Sequence, residues 1–283
     1  MNIFITGASG FIGGNFLTKL LQLGHNVTAV SHTSKILLDC DHPNLRIVSG
    51  SLNDDFSIYL KEIDYLIHMA SYGVVRGSNQ WENCFDVNVT QYLKFLLTAI
   101  ESGVKQYLVF GSCFEYGRSG ELHSKIPINA VCLPTTAYSA SKSAATSLSY
   151  ALAIQHQLKM IIVRPFHVYG EGENSNRFWP SLVSAARNGE NFLMTEGEQV
   201  RDFQHVDATI NQILNLMNVL DVKDGIPVLA NLGTSNPQKL IDFAKSTWES
   251  CNAEGSLVPG AIPYRENEVM CYTPKVEYSD FSF

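Results

Sequence analysis

Ala137-Tyr138-Ser139-Ala140-Ser141-Lys142 sets a phenol and an amine four residues apart at the head of a long helical pattern. The spacing stacks Tyr138 and Lys142 on one helical face. A phenol with an ordinary pKa of about 10 is a poor acid or base at neutral pH. An ammonium beside it favours the phenolate and moves the group toward a working range. Such a pair suits proton transfer to or from a sugar oxygen while hydride moves to or from a nicotinamide. Ser112, in Gly111-Ser112-Cys113-Phe114-Glu115-Tyr116-Gly117, is the first hydroxyl after an apolar run and could bond the same reacting oxygen. Each feature has a plainer reading, since Tyr-x-x-x-Lys arises by chance in helices and serine is a common strand cap. Context has to decide.

That context begins at the N-terminus. Thr6-Gly7-Ala8-Ser9-Gly10-Phe11-Ile12-Gly13 follows an apolar run and opens an amphipathic pattern. In a dinucleotide-binding turn Gly7 allows the tight bend, Gly10 lets the backbone approach a pyrophosphate, and Gly13 permits close helix–strand packing. The first N–H groups of the helix, around Ser9, Phe11 and Ile12, then face the phosphates. The bland alternative is a glycine-rich turn with no ligand. The second strand ends Val30-Ser31-His32-Thr33-Ser34-Lys35, without the acid that usually holds the ribose 2′-hydroxyl of NAD. Ser31 would tolerate a 2′-phosphate, and His32 or Lys35 could meet it. NADP(H) is therefore favoured and NAD(H) possible, the alternative being that these are solvated loop residues.

The elements that must position these groups are legible as alternation. Strands are expected at Ile3–Thr6, Val27–Val30, Leu45–Val48, Tyr65–His68, Tyr107–Phe110 and Met160–Val163, and helices at Phe11–Leu23, Phe56–Lys61, Asn83–Ser102 and Thr136–Gln157. Strand–helix alternation with continuously apolar strands predicts an α/β fold, a Rossmann doubly wound parallel sheet. Such sheets bind ligands beyond the carboxyl ends of their strands. After Arg164-Pro165 the loops lengthen (Gly170–Asn176) and helices shorten. Residues 1–165 are expected to form the dinucleotide-binding domain and 166–283 mostly a smaller substrate-binding lobe. Residues 201–235, which include the strand Val228–Asn231, are expected to return to the first domain. No internal repeat or low-complexity segment interrupts the chain.

The bulk numbers agree with a folded enzyme. The 283 residues, 45% of them apolar, can bury one large or two modest cores. A formal charge of −7 argues against nucleic acid or an anionic membrane as partner. A few cations and helix N-termini can still hold a phosphorylated ligand. Cys40, Cys84, Cys113, Cys132, Cys251 and Cys271 fall in no metal-ligand spacing. They are expected to be reduced, mostly buried thiols of a cytoplasmic protein without a metal. The N-terminus enters Ile3-Phe4-Ile5 without a basic leader, and no apolar run approaches a membrane span.

Taken together, these segments resemble the extended short-chain dehydrogenase/reductase family, in its nucleotide-sugar epimerase/dehydratase branch. The likeness adds His68-Met69-Ala70-Ser71, Asn88 in Asp86-Val87-Asn88-Val89, and Arg164-Pro165-Phe166-His167-Val168-Tyr169-Gly170. It continues through Arg201-Asp202-Phe203-Gln204-His205-Val206-Asp207, Asn231-Leu232-Gly233 and Tyr264-Arg265-Glu266-Asn267-Glu268. The ordered set covers nearly the whole chain.

The resemblance implies that Ser112, Tyr138 and Lys142 carry the chemistry. It implies further cofactor contacts at Leu52, Met69, Ala70, Ser71, Asn88 and Pro165, beside Ser31, His32, Tyr138 and Lys142. It places a nucleoside-diphosphate sugar against Ser112, Cys113, Phe114, Asn176 and Arg177. Arg201 and Arg265 are diphosphate candidates because a guanidinium offers a fixed fork of donors, the alternative for each being a structural ion pair. His167 and His205 read as structural.

Departures from the family pattern narrow the activity. Dehydratases of this branch place an Asp-Glu pair directly after the position of Ser112, where this chain has Cys113-Phe114, with Glu115 one position too late. An acid often found after the third strand is replaced by Gly50-Ser51-Leu52. The chain ends at Phe283, soon after Arg265, where relatives usually continue with another helix. With dehydration set aside, two enzyme readings remain. One is an NADPH-consuming reductase of a nucleotide-linked 4-keto-6-deoxy sugar, favoured because Tyr264–Met270 is similar to CDP-abequose/CDP-paratose synthases and dTDP-fucose-forming reductases. The other is a 4-epimerase that retains NAD. A dinucleotide sensor or scaffold is a third reading, disfavoured because both Tyr138 and Lys142 are present.

Relatives also pair two helices with their copies. Here Val89, Tyr92, Leu93, Leu96 and Leu97 on one, and Leu148, Ala151, Leu152 and Ile154 on the other, imply a homodimer. Those residues could equally well cover the sheet.

Overall fold

The computed structural model describes residues 1–32, 41–74, 80–266 and 268–279. The first half runs β1 (Asn2–Thr6), α1 (Phe11–Gln22), β2 (Asn26–Ser31), β3 (Leu45–Ser49), α2 (Ser57–Leu60) and β4 (Tyr65–His68). A long helical passage follows, α3 (Trp81–Phe85), a π-helical stretch (Asp86–Gln91) and α4 (Tyr92–Glu101), then β5 (Gln106–Phe110), α5 (Ala137–Gln155) and β6 (Lys159–Pro165). The rest is β7 (His167–Tyr169), α6 (Phe178–Arg187), β8 (Phe192–Leu193), β9 (Val200–Arg201), β10 (Phe203–His205), α7 (Val206–Val219) and β11 (Val228–Leu232). It closes with β12 (Gln238–Lys239), α8 (Leu240–Ser250), β13 (Leu257–Val258), β14 (Cys271–Tyr272) and β15 (Tyr278–Ser279).

The main sheet has the order β15-β11-β6-β5-β4-β1-β2-β3. Every pairing in it is parallel except that of β15 with β11. The doubly wound Rossmann sheet expected from the alternating pattern is present, and its chain order reverses between β1 and β4, where such sheets open a crevice. Alternate side chains of one strand feed opposite faces. Phe4 joins Phe95, Leu96, Leu152 and Ile162 under α4 and α5, while Ile3 and Ile5 join Phe16, Leu20, Ile210 and Ile213 under α1 and α7. Strands buried on both sides are the reason for their unbroken apolar runs.

A third core, with Leu182, Ala186, Ile241, Ala244 and Trp248, packs α6 against α8. A fourth, Cys113, Tyr116, Ile126, Phe166 and Tyr272, ties the loop after β5 to the C-terminal segment. Strand β11, after that excursion, lies parallel to β6, with Asn231 opposite Arg164.

Several expectations are corrected. The pattern over Asn83–Ser102 begins at Trp81 and is interrupted by the π stretch. Phe56–Lys61 reduces to the single turn of α2, with Phe56 at its N-cap. Cys84 and Cys113 are buried, but Cys132, Cys251 and Cys271 are half-exposed, because they lie in a loop, at a helix end and in a two-residue strand; none of the five is in a disulfide. Cys40, Lys35 and Asn267 lie outside the described residues. Among the described residues no helix is long and apolar enough to cross a membrane.

Candidate active site

The turn after β1 is built for close approach. Gly7 has φ +76°, and a Cβ there would lie 2.5 Å from the Ala70 nitrogen; one at Gly13 would lie 2.1 Å from the Gly7 carbonyl oxygen. Only glycine fits either place. Helix α1 starts at Phe11 with Gly10 as an N-cap that offers no side-chain hydrogen bond, and Ser9 and Gly10 are exposed. Its first N–H groups therefore meet no capping side chain from Gly10, which leaves them fit for phosphate oxygens. Phe11 and Ile12 are half-buried at the same end. Ser31 is buried at the end of β2 and its carbonyl accepts from the Gly50 N–H at 3.1 Å, while His32 is exposed. Leu52 is buried in the core under α4 and α5.

The loop after β4 is held by two residues from elsewhere. Thr6 Oγ1 lies 2.9 Å from His68 Nδ1 and accepts from the N–H groups of Met69 and Ala70, both at 3.3 Å. Asn88 is buried and bonds four ways. Its Oδ1 accepts from Tyr72 N (2.8 Å) and Ser71 Oγ (3.2 Å), and its Nδ2 donates to Tyr72 O and Ser141 Oγ, both at 2.9 Å. The π-helical stretch carries Asn88; such insertions re-aim a helix face, often at functional sites. The Asn88 amide is spent on fastening the loop to α5, so any influence on a dinucleotide passes through Ser71 and Tyr72.

Helix α5 starts at Ala137, with Thr136 capping it through a reciprocal pair with Ser139. This cap fixes the first turn, on which Tyr138 sits. Tyr138 is hydrogen-bonded with Ser112 and Ser71, and burial is the main reason its phenol is pushed up to about 12, against those bonds. One turn on, Lys142 is buried and donates to the Phe110 carbonyl at the end of β5. Burial lowers the Lys142 amine to about 8, opposed by the Glu115 carboxylate. The expectation that the ammonium would draw the phenol down is not what dominates here. Lys142 points into the strand end, and desolvation controls Tyr138.

Ser112 Oγ accepts from the Phe114 N–H (3.2 Å) and caps the 3-10 turn Cys113–Tyr116. Phe114 is exposed and stacks on Tyr272 with ring centres 6.4 Å apart. Glu115 is fully buried, turned inward to Arg164 with Oε2–Nε at 2.9 Å. Burial pushes the Cys113 thiol up to about 12; Glu115 adds to the shift, and the charges of Arg201 and Arg177 oppose it. The same two arginines follow burial in lowering the His167 imidazole to about 3. Cys113, His167, Arg177 and Arg201 therefore surround one cationic region next to Ser112.

Within that region Arg177 is the N-cap of α6, exposed, and paired with Glu173 at 3.4 Å; Asn176 precedes it, also exposed. Arg201 donates to the carbonyls of Val200 (2.9 Å) and Val269 (2.6 Å) and pairs with Glu268 at 3.1 Å. The alternative of a structural ion pair thus describes Arg201 in this state, while Arg265 is exposed on the same segment. Pro165 ends β6, and His205 caps α7 by accepting from the Asp207 N–H at 3.3 Å. Sequence reading does not single out Thr146 or the inward role of Glu115. The available signal was an acid inside the apolar run Cys113–Tyr116, which must find a buried cation.

The parallel sheet, the glycine turn and the Tyr138–Lys142 face define an extended short-chain dehydrogenase/reductase enzyme that uses a pyridine nucleotide. The chain belongs to the NAD dependent epimerase/dehydratase family, whose model matches residues 3–227. CDP-abequose synthase of Salmonella typhimurium is 27% identical over 282 residues, which covers 95% of this chain and 87% of the relative. The dTDP-6-deoxy-L-talose 4-dehydrogenase (NAD(+)) of Aggregatibacter actinomycetemcomitans is 27% identical over 224 residues, covering 75% and 78%. Among solved structures, MoeE5 in complex with UDP-glucuronic acid and NAD superimposes with a TM-score of 0.83 at 27% identity, covering 98% of this chain and 90% of that one.

Proposed function

We propose that this enzyme reduces the 4-keto group of a nucleotide-linked 4-keto-6-deoxy sugar. The observation that carries the reading is a half-buried phenol held by Ser112 and Ser71, with no free acid following Ser112. Tyr138, held at about 12, is neutral at physiological pH and suited to donate a proton rather than to take one. The position after Ser112 offers a buried thiol and a phenyl ring, and Glu115 is committed to Arg164. Nothing there is suited to eliminate water from the sugar.

In the forward direction Tyr138 passes its proton to the C4 oxygen and recovers one from solvent. Ser112 bonds that same oxygen, and the Lys142 ammonium supports the phenolate left behind. Gly7, Ser9, Gly10, Phe11, Ile12 and Gly13 hold the dinucleotide phosphates, with Met69, Ala70, Ser71 and Pro165 lining the crevice. When bound, the reduced nicotinamide supplies the hydride to C4. Asn176, Arg177, Arg201 and Arg265 take the diphosphate and sugar, with Cys113 and Phe114 against the sugar ring. Residues 1–165, with β11, make the dinucleotide half, and most of 166–283 makes the sugar-nucleotide half.

NADP(H) is the favoured donor, since β2 ends in Ser31-His32 without an acid; NAD, the cofactor of the Aggregatibacter 4-dehydrogenase and of the MoeE5 complex, is the competitor to assay beside it. A homodimer is supported by Leu97, Ala151 and Ile154, which stay exposed on α4 and α5, although Tyr92, Leu96 and Leu152 cover the sheet. Five cysteines outside any disulfide and a reduced dinucleotide suit a cytoplasmic enzyme.

The test mixes protein with NADPH or NADH and a CDP- or dTDP-linked 4-keto-6-deoxyglucose. Loss of nicotinamide absorbance that requires the keto sugar supports the reductase. No oxidation, with NAD already bound to the purified protein, favours a 4-epimerase, a reading that the joint complex of MoeE5 with NAD and a UDP-sugar keeps in play.

A further inference from the structure

Among the described residues Glu115 is the one buried carboxylate beside Lys142 that the proton transfer above does not use, and its contacts are arranged around that transfer. Its Oε1 accepts two hydrogen bonds, from the Ser112 N–H at 2.7 Å and from Thr146 Oγ1 at 3.0 Å. Its Oε2 takes Arg164 Nε at 2.9 Å. Ser112 belongs to the turn leaving β5, whereas Thr146 lies one helical turn beyond Lys142 on α5. One oxygen thus joins the strand end that carries Ser112 to the helix that carries Tyr138 and Lys142. The approach is tight: a Cβ on Gly111 would sit 2.5 Å from Oε1, so the carboxylate occupies the space a side chain would need. The next residue back, Phe110, gives its carbonyl to Lys142. Phe110 and Ser112 are therefore tied to α5 and the carboxylate, while Gly111 between them donates its N–H to Val163 O of β6 at 2.8 Å.

We propose that Glu115 is a positioning residue for the proton-transfer centre: it clamps Ser112 to the Tyr138–Lys142 face of α5 and sets a buried negative charge beside the Lys142 ammonium. The proposal rests on the reading that Tyr138 and Lys142 handle the proton. The charged and titratable groups around the clamp are few. Facing Lys142 are His68 from β4, its imidazole held well below its ordinary range by burial and then by Lys142, and Glu115. Facing Glu115 are Arg164 from β6, Tyr138 from α5, and Tyr116, Cys113 and Cys132 from the loops, beside Lys142. Arg164 is itself shared with the Tyr116 hydroxyl at 3.0 Å, the Ile128 carbonyl at 3.4 Å and Cys132 Sγ at 3.5 Å, so it does not neutralise Glu115 alone. Of the two positive groups the carboxylate influences, Lys142 is the one whose charge is in play near neutrality.

The test needs no substrate for its first arm. In protein labelled with [13Cε]lysine, the Lys142 resonance, assigned by its loss in Lys142→Arg, is titrated in the parent and in Glu115→Gln. Removing a nearby buried charge is expected to move the midpoint down by about one pH unit; an unmoved midpoint in the folded variant overturns the electrostatic half. Turnover at pH 7.5 should fall ~10-fold or more, with the alkaline limb of kcat moving down by the same amount and dinucleotide affinity unchanged.

Thr146→Val keeps the charge and breaks only the link to α5. It should lower kcat several-fold without moving the limb, and unchanged kcat would overturn the clamp. If Glu115→Gln does not fold because Arg164 is stranded, Glu115→Gln with Arg164→Gln removes both charges and carries the titration, while Thr146→Val still decides the clamp. Tyr138→Phe separates the two levels. If that variant turns over normally the reading of the site fails, whereas loss of its activity alongside an unaffected Glu115→Gln sinks only the present proposal.

Discussion

The surroundings of Tyr138 and Lys142 and those of Arg177 and Arg201 meet at Cys113, yet their polar groups are treated differently. Around the proton centre every key polar side chain is committed: Asn88 in four bonds, Glu115 in three, Lys142 to the Phe110 carbonyl. In the arginine region, among the described residues, the buried polar atoms His167 Nδ1 and Glu173 Oε2 stand without a hydrogen-bond partner, while Arg177 is 45% exposed at its side chain. Fixed dipoles cost no reorganisation when a proton moves, which is what the chemical step rewards. Unfilled polar atoms beside the adjustable Arg177 guanidinium suit a ligand rich in hydroxyls and phosphate oxygens, which completes the bonds on arrival. The contrast teaches which half of the site is set before substrate enters and which is finished by it.

Substitutions that break the committed half should cost the most. Tyr138→Phe is expected to lose ~10³-fold in kcat with dinucleotide affinity intact, read by steady-state turnover and by nicotinamide fluorescence titration. Lys142→Met should lose ~10²-fold and change the pH profile. In the parent, activity is expected to fall as pH rises through about 8, where Lys142 would give up its proton; in the variant that limb should be absent.

The ligand-completed half should respond in KM instead. Arg177→Ala is expected to raise KM for the nucleotide sugar ~10-fold with kcat little changed, since a diphosphate contact made equally in ground and transition states is uniform binding. A larger loss in kcat than in KM would merge the two halves. The smallest effect concerns the dinucleotide. Ser31→Asp supplies the missing acid at the end of β2, and a several-fold shift in the NADPH/NADH ratio of kcat/KM toward NADH is expected.

Much of the committed half is legible in the order of residues. Strands β1, β4, β5 and β6 are continuous apolar runs because both sheet faces are covered, and Gly7 and Gly13 mark approaches that no other residue permits. The π stretch is not legible, because adding one residue to a helical turn barely alters apolar periodicity, yet it carries Asn88. The Glu115–Arg164 pair is hidden for another reason: its members are 49 residues apart, and only sheet register brings the ends of β5 and β6 together. Likewise β9, β12 and β14 are two residues each, held by tertiary pairing that local sequence does not encode. The packing of Arg201 against the Val269 carbonyl and Glu268 depends on that pairing, which is why guanidinium chemistry alone suggested a free diphosphate ligand.

The central claim is net hydride transfer to a 4-keto sugar, and isotope tracing tests it most directly. Protein is incubated with NADPH deuterated at the transferable C4 position and with CDP- or dTDP-4-keto-6-deoxyglucose, and the sugar is examined by NMR. The account predicts one deuterium at sugar C4, in a single configuration, for each nicotinamide oxidised. Sugar free of deuterium with no net nicotinamide oxidation would contradict it, and both C4 epimers accumulating when a 4-hydroxy nucleotide sugar is supplied instead would make the enzyme an epimerase.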